Sequence, residues 1–278
     1  MRRSGRIFFA AHVFIATVFL AAATAPCPVL SAEPPLTASL PSASLRTGIG
    51  ERFLGEEFNY KVGFWIFDGV AVAKIKMEKK GGLYVATLTA QTTGAVRWLH
   101  AREDVYVATL EEVDGGRRFR TLVFEESSVI GSKRKRSVTV LDKNTGTLKW
   151  TIWRKGVEKD NGSLAVLDGV YYDDPLAAFY NFRYGAYGTV EENKKFRIRT
   201  FPKASKQEVD IDLDIRSAPN AGNGKEEAVY LADARVDKDL FDSSSGLVEI
   251  LFDKELVPIR AVAKDIVLFG DVRGELTR

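Results

Sequence analysis

One segment, DDPLAAFYNFRYG at positions 173–185, has the features of a complete α-helix in a chain whose other regular segments resemble strands. An aspartate at position 173 or 174 can accept hydrogen bonds from the free N–H groups of the first turn, and Pro175 fits that turn. Gly185 can take the left-handed conformation that ends a helix. Apolar side chains cover most of this segment, so we expect a sheet to enclose the helix.

The rest of the chain alternates apolar and polar side chains in short segments between turn residues, which predicts strands. A short helix is predicted within residues 92–101, and a turn at 67–69 is predicted between the first two strands. The predicted strands cover residues 57–66, 70–78, 83–91, 104–111, 118–126, 137–141, 147–154, 195–201, 206–215, 228–236, 247–253, 259–267 and 271–276. Short turns between successive strands favour a mainly β fold, with a curled antiparallel sheet that forms a β-roll or incomplete barrel. One or two short helices would pack on its concave face, which has either a solid core or a cavity for an apolar ligand.

The segments 195–201 and 206–215 form the clearest predicted hairpin. If Phe201 pairs with Lys206, the apolar side chains of both strands share one face, and charged side chains share the other. On the charged face this register predicts the opposed pairs Arg199–Glu208, Arg197–Asp210 and Lys195–Asp212.

The first residues of the chain predict export. Three arginines precede an apolar run at residues 7–25, and small residues follow, which is typical of a signal peptide. We expect a signal peptide at residues 1–32, a flexible linker at 33–49 and a single β-roll domain at 50–278, located in the periplasm. Alternatively, the run at 7–25 remains as an inner-membrane anchor, in which case the protein contacts the membrane only through this leader.

Charge and cysteine usage argue against a nucleic-acid-binding protein and against a disulfide-stabilised protein. The chain has 40 basic and 37 acidic side chains, and the leader contains three arginines and no acidic residue, so the exported part is neutral. Net charge therefore gives no support for binding nucleic acid. The single cysteine, Cys27, lies in the predicted leader, so the exported domain has no disulfide and must be stabilised by its core.

Catalytic chemistry has few candidates in this sequence. His100 is the only histidine outside the leader, and the chain contains neither G-x-S-x-G nor H-E-x-x-H. We therefore expect a protein that is not an enzyme and has no catalytic residue and no cofactor. Carboxylates remain as possible machinery, so a carboxylate-dependent glycan hydrolase is a less favoured alternative.

Two charged runs have structural interpretations that we prefer to binding sites. The acidic row Glu208, Asp210, Asp212 and Asp214 diverges along a strand, whereas Ca²⁺ requires oxygens that converge on a point, so no metal site is predicted. The basic run at 133–136 is interpreted as a solvated loop or as a charged edge that discourages pairing between sheets. Binding of anionic lipid headgroups by this run is the alternative.

Three separated segments resemble one bacterial family. They are Gly55-Glu56 with Tyr60, Val62 and Gly69; the helical residues 174–180; and residues 257–260 with 270–276. Together they are similar to the exported family named Domain of Unknown Function 3108, over most of the exported chain. The resemblance implies a periplasmic, mainly antiparallel β-roll without an established activity, and it supplies no catalytic residue.

An aromatic set is the best candidate for a ligand site. These side chains either pack as a core or, in an open roll, line an apolar pocket with an arginine at its mouth that meets an anionic headgroup. The candidate ligand-binding residues are Phe64, Trp65, Trp98, Phe179, Tyr180 and Arg183. The sequence therefore predicts a non-enzymatic binding or carrier protein for an apolar or lipid-like envelope ligand. An envelope scaffold that binds a protein partner through exposed strand edges is the alternative.

Overall fold

The structure, a computed structural model, describes residues 47–64, 67–99, 101–201, 209–219, 228–236, 238, 243–266 and 270–277. The predicted leader, nearly all of the predicted linker, Trp65, His100 and Glu208 lie outside these ranges. Three helices occur within them: α1 (Ile49–Phe53), α2 (Gly94–Leu99) and α3 (Pro175–Tyr184). The strands are β1 (Glu57–Phe64), β2 (Phe67–Lys80), β3 (Leu83–Thr92), β4 (Arg102–Val113), β5 (Arg118–Ile130), β6 (Lys133–Asp142), β7 (Thr147–Arg154), β8 (Val157–Ala165), β9 (Lys195–Thr200), β10 (Val209–Ser217), β11 (Tyr230–Arg235), β12 (Leu247–Phe252), β13 (Pro258–Ile266) and β14 (Gly270–Thr277).

All of these strands belong to one antiparallel sheet, in the order β8-β7-β6-β5-β4-β3-β2-β1-β14-β13-β12-β11-β10-β9. Two meanders therefore meet at the centre, where the first strand pairs with the last, with Tyr60 opposite Leu276. The sheet curls without closing, and β8 and β9 are its two edges. The predicted class, a mainly β roll with a helix on its concave face, is confirmed.

The strands run between two ends of the roll, because successive connections in an antiparallel meander alternate between ends. At one end, named the helix end, lie α1, the C-terminus of α3 and the turn at 114–117. There the Ile49 N–H donates to the Gly116 carbonyl oxygen at 2.8 Å. At the other end, named the rim, lie α2 and the turn at 131–132.

The concave face of the sheet is apolar and is filled by α3. On β10, for example, the buried side chains are Val209, Ile211, Leu213 and Ile215, and polar residues alternate with them on the outer face. Helix α3 packs over β3, β4 and β5. Fully buried alanines on two of these strands, Ala86 and Ala108, leave room for the helix.

The ends of α3 follow the sequence prediction. The Asp174 carboxylate accepts hydrogen bonds from the N–H groups of Leu176 at 2.7 Å and Ala177 at 3.2 Å. Gly185 lies in the left-handed region at φ 84°, and its N–H donates to the Phe182 carbonyl oxygen at 3.0 Å. A side chain at position 185 would strain this conformation, so glycine ends the helix.

Several sequence expectations need correction. Strand β2 begins at Phe67, so the predicted turn at 67–69 is wrong. Helix α1 and strand β8 were not predicted. The β9–β10 hairpin has its charges on the predicted face but is displaced by two residues, because the connection is longer than expected. The observed pairs are Arg199–Asp210, Arg197–Asp212 and Lys195–Asp214.

Among the described residues, no helix is long and apolar enough to cross a membrane.

Candidate functional site

The structure divides the five described candidate site residues between the two ends of the roll. Phe179, Tyr180 and Arg183 lie on α3. Phe64, at the opposite end of β1 from the helix, is half-buried, and Trp98 lies on α2 with 93% of its surface exposed. Trp65 lies outside the described residues. Phe58, which contacts Phe179, is six residues from Phe64, or roughly 20 Å along the strand. The five described residues therefore do not line one pocket, as the sequence analysis had allowed.

The aromatic side chains of α3 pack as part of a core. Tyr180 has no exposed surface, and its ring centroid lies 4.8 Å from that of Phe179 and 5.2 Å from that of Phe53. Phe119 on β5 meets the same ring edge-on, at 6.4 Å. These distances are those of packed aromatic pairs and leave no room for a ligand between the rings.

Arg183 is paired with a carboxylate of the protein itself. Its guanidinium donates to both carboxylate oxygens of Glu56, at 2.5 and 2.8 Å, and only 3% of its side chain is exposed. The rings of Phe53, Phe58 and Phe179 surround the guanidinium at 4.7 to 5.1 Å. Glu56 therefore pairs with the cation that the sequence analysis placed at the mouth of a pocket, and the ligand-binding role of Arg183 stays a prediction.

A groove opens beside Arg183, at the C-terminus of α3. Its cavity volume is about 820 Å³, which lies within the range of small-molecule sites. This α3 groove combines apolar surface with charged side chains at the helix end of the roll. Its lining residues are Thr47, Glu51, Arg52, Arg183, Tyr184, Gly185, Thr189, Val190, Tyr230, Lys254 and Leu256.

The charge of the α3 groove is positive. Its one acidic side chain, Glu51, accepts a hydrogen bond from Lys79 at 2.6 Å, which lowers the pKa of Glu51. The carboxylate therefore stays ionised, and the positive charge of Lys79 offsets it. Arg52 stands exposed with its guanidinium near the Phe53 ring. Lys254 is 80% exposed, and its contact with Glu255, at 3.6 Å, is a weak surface pair. The groove thus offers two accessible cations beside apolar side chains.

Sequence reasoning missed Arg52 and Lys254. Arg52 lies in α1, a five-residue helix that was not predicted, and Lys254 lies in the turn after β12. No motif or spacing connects them, since they meet only through the folding of the sheet.

A buried polar network holds the N-terminus of α3. Asp173 is paired with Arg118, accepts a hydrogen bond from the Tyr187 hydroxyl at 2.5 Å, and lies 3.4 Å from the Asn181 amide nitrogen. The Arg118 guanidinium lies between two rings, at 4.4 Å from Tyr171 and 4.8 Å from Tyr187. Burial raises the pKa of the Asp173 carboxyl, and Arg118 opposes that rise. This network attaches the helix to β5 and is not a free acid–base pair.

The buried carboxyl of Asp174 should make the stability of the protein depend on pH. Burial raises the pKa of Asp174 to about 7, although Thr121 and the backbone of Leu176 and Ala177 donate to it. The folded state therefore holds a proton that the unfolded state releases near pH 4, so this contribution is complete below about pH 4 and is lost as pH rises through about 7. We expect the wild type to lose about 2–3 kcal/mol across this interval relative to Asp174→Asn.

Urea unfolding of both proteins at a series of pH values measures this difference. Asparagine suits the N-cap position of a helix and carries no titrating proton, so the variant retains the cap while removing the titration. Parallel curves for the two proteins between pH 4 and pH 7 would contradict the prediction.

The molecule is thus a mainly β protein, an open antiparallel roll whose concave side is filled by a helix and whose helix end carries a cationic groove. No family model matches the chain, and no curated protein matches it. Among solved structures, it is similar to the crystal structure of a beta-barrel-like protein of Domain of Unknown Function DUF1849 from Brucella abortus. The two chains are 12% identical, the match covers 81% of this chain and 97% of the other, and the TM-score is 0.48. The resemblance to Domain of Unknown Function 3108 stays a prediction.

Proposed function

We propose that this protein is a non-enzymatic binding protein of the periplasm that holds an anionic, partly apolar ligand in the α3 groove. The observation that carries the proposal is the composition of the groove, where Arg52 and Lys254 flank Tyr184, Tyr230 and Leu256. An amphiphile with a carboxylate or phosphate headgroup fits such a surface, because the head meets cations while the apolar part covers side chains. This ligand class includes the lipid-like molecules of the envelope.

The proposal places the ligand on the surface of the roll. The interior around α3 is occupied by side chains of the core, such as Tyr180, Phe53 and Phe119. A groove-bound amphiphile would retain one side in water, so the expected affinity is that of a transient binding protein and lower than that of a closed lipid cavity.

Neutralising the two groove cations tests the proposal. We expect Arg52→Gln with Lys254→Gln to weaken binding of dodecyl phosphate, used below its micelle concentration, by about 100-fold, since each charge-assisted hydrogen bond contributes about 1.5 kcal/mol. Isothermal titration calorimetry measures the change. The matched control is Arg117→Gln with Lys143→Gln, which removes the same charge from exposed residues outside the groove. Equal binding by both double variants would overturn the proposal.

Native mass spectrometry of the protein purified without detergent, followed by solvent extraction, identifies the natural ligand. A reproducible excess mass that extracts as one lipid class supports the proposed function.

A bare polypeptide mass, unchanged after incubation with membrane lipids, would oppose the binding function and favour the scaffold. One observation favours that second candidate: within the described ranges, no strand pairs with the outer edge of β8. Glu158, Lys159 and Asp160 lie on this edge strand, and such charges discourage pairing that is not specific. A scaffold would therefore bind a chosen envelope protein partner there.

A further inference from the structure

Trp98 is presented to solvent on an attached element of the rim. Its side chain is 93% exposed, although tryptophan is highly buried on average. Thr93, the residue before α2, attaches the helix to β2. Its N–H donates to the Val70 carbonyl oxygen at 2.8 Å, and its hydroxyl donates to the Gly69 carbonyl oxygen at 2.6 Å. Phe67, at the start of the same strand, is 51% exposed. The rim therefore displays aromatic surface that the fold holds outside the core.

The basic run of the sequence lies beside this helix. The Gly131 N–H, in the turn that precedes the run, donates to the Ala101 carbonyl oxygen just after α2, at 3.0 Å. Strand pairing brings the same segments together, because Ile130 of β5 lies opposite Arg102 of β4 on one side and Lys133 of β6 on the other. Residues 133–136 are therefore neighbours of Trp98 at one end of the roll, although more than thirty positions separate them in the chain.

The rim carries more exposed basic than acidic side chains. Lys135 and Arg136 are paired with Glu126 and Glu125, and so contribute little net charge. Asp68 is paired with Arg273. The exposed acidic residues beside these strand ends are Glu103 and Glu158. The exposed basic residues there are Arg97, Arg134, Lys155 and Lys159.

We propose that the rim docks on an anionic lipid bilayer, with Trp98 at the level of the headgroups and the exposed basic residues against the lipid phosphates. An indole ring on a cationic surface suits this interface, because its apolar body enters the acyl boundary while its N–H remains among polar groups. Basic side chains near anionic lipid add an attraction that decays within a Debye length. A fixed tryptophan and a basic surface together favour a membrane over a nucleic acid, for which the exported domain has no net charge.

Docking through the rim leaves the α3 groove accessible. The groove is at the helix end, and β2, which runs between the two ends, has 14 residues and a length of roughly 40 Å. Membrane docking is therefore independent of the proposed groove ligand, and each can fail without the other.

Vesicle sedimentation tests the docking surface. With phosphatidylcholine vesicles that contain phosphatidylglycerol, we expect Arg134→Gln with Lys155→Gln to reduce partitioning about 30-fold and Trp98→Ala to reduce it about tenfold. Raising the salt concentration should weaken wild-type binding, and vesicles of phosphatidylcholine alone should bind poorly.

Two controls remove matched features from the helix end. Arg117→Gln with Lys143→Gln removes the same charge from exposed residues outside the α3 groove, and Leu167→Ala removes a 64% exposed apolar side chain. Both should bind vesicles as the wild type does. Bromolipid quenching that is present in the wild type and absent in Trp98→Phe would place the indole in the bilayer. Wild-type partitioning by both rim variants, or equal binding to neutral and anionic vesicles, would overturn the proposal; a protein partner would then be the remaining occupant.

Discussion

Replacing Arg118 with methionine is expected to lower the free energy of unfolding by about 3–5 kcal/mol at neutral pH. Asp173 is 1% exposed and has Arg118 as its ion-pair partner. Methionine occupies much of the arginine volume between Tyr171 and Tyr187, but it leaves the Asp173 carboxylate buried without a compensating charge. Urea unfolding followed by circular dichroism measures the loss.

Two controls separate the buried charge from loss of packing. The double variant Arg118→Met with Asp173→Asn should recover part of the stability, because it removes the uncompensated charge. Arg136→Met breaks an ion pair with Glu125 in which both side chains are about half exposed. It should lower the free energy of unfolding by less than about 1 kcal/mol. The penalty of Arg118→Met should also shrink at acid pH, where Asp173 takes up a proton. A cost for Arg118→Met no greater than that of Arg136→Met would show that the pair does not stabilise the helix.

Tyr180→Ala is expected to destabilise the protein by about 3–5 kcal/mol, as large aromatic truncations in a core do. The ring has no exposed surface and contacts Phe53, Phe119 and Phe179. Its removal leaves a cavity that these neighbours cannot fill without moving. Thermal and urea unfolding measure the effect.

The conservative change Tyr180→Phe should not destabilise the protein. Within the described part of the chain, the buried Tyr180 hydroxyl has no hydrogen-bond partner. Phenylalanine retains the packing and removes an unsatisfied polar group, so we expect a stability equal to the wild type or higher by about 1 kcal/mol. If Tyr180→Ala instead left the melting temperature unchanged and abolished ligand binding, the ring would line a pocket.

The helix α3 could be predicted almost residue by residue because its signals are local. The cap at Asp174, the proline at the first position and the glycine at 185 act on backbone groups within four residues of themselves. Most strands were predicted for a similar reason, since alternation along one strand indicates which face is buried.

Strand β8 could not be predicted from its own residues. Its sequence VEKDNGSLA is polar and contains Gly162, which weakens any strand pattern. It becomes a strand by pairing with β7, where Gly162 lies opposite Trp150. A Cβ atom at position 162 would lie 2.3 Å from the Trp150 ring, so the glycine is required by a contact that the sequence does not reveal.

The candidate site was only partly predictable. The aromatic residues of α3 were correctly placed together, but their role as core depends on Phe53 and Phe119, which come from α1 and β5. Arg183 was expected to be available because nothing in the sequence indicates Glu56 as its partner, 127 residues away.

By itself, the sequence determined helix α3, the antiparallel β class and the buried face of most strands, because these follow from interactions between residues close in the chain. Only the tertiary structure decided which strands are neighbours, what fills the concave face, and where the exposed cations and Trp98 lie. Those features depend on pairings such as that of β1 with β14, in which the Thr277 hydroxyl donates to the Asn59 carbonyl oxygen across 218 residues. Alternation along a strand is the same whichever strand lies beside it, so a contact over that separation exists only once the sheet has formed.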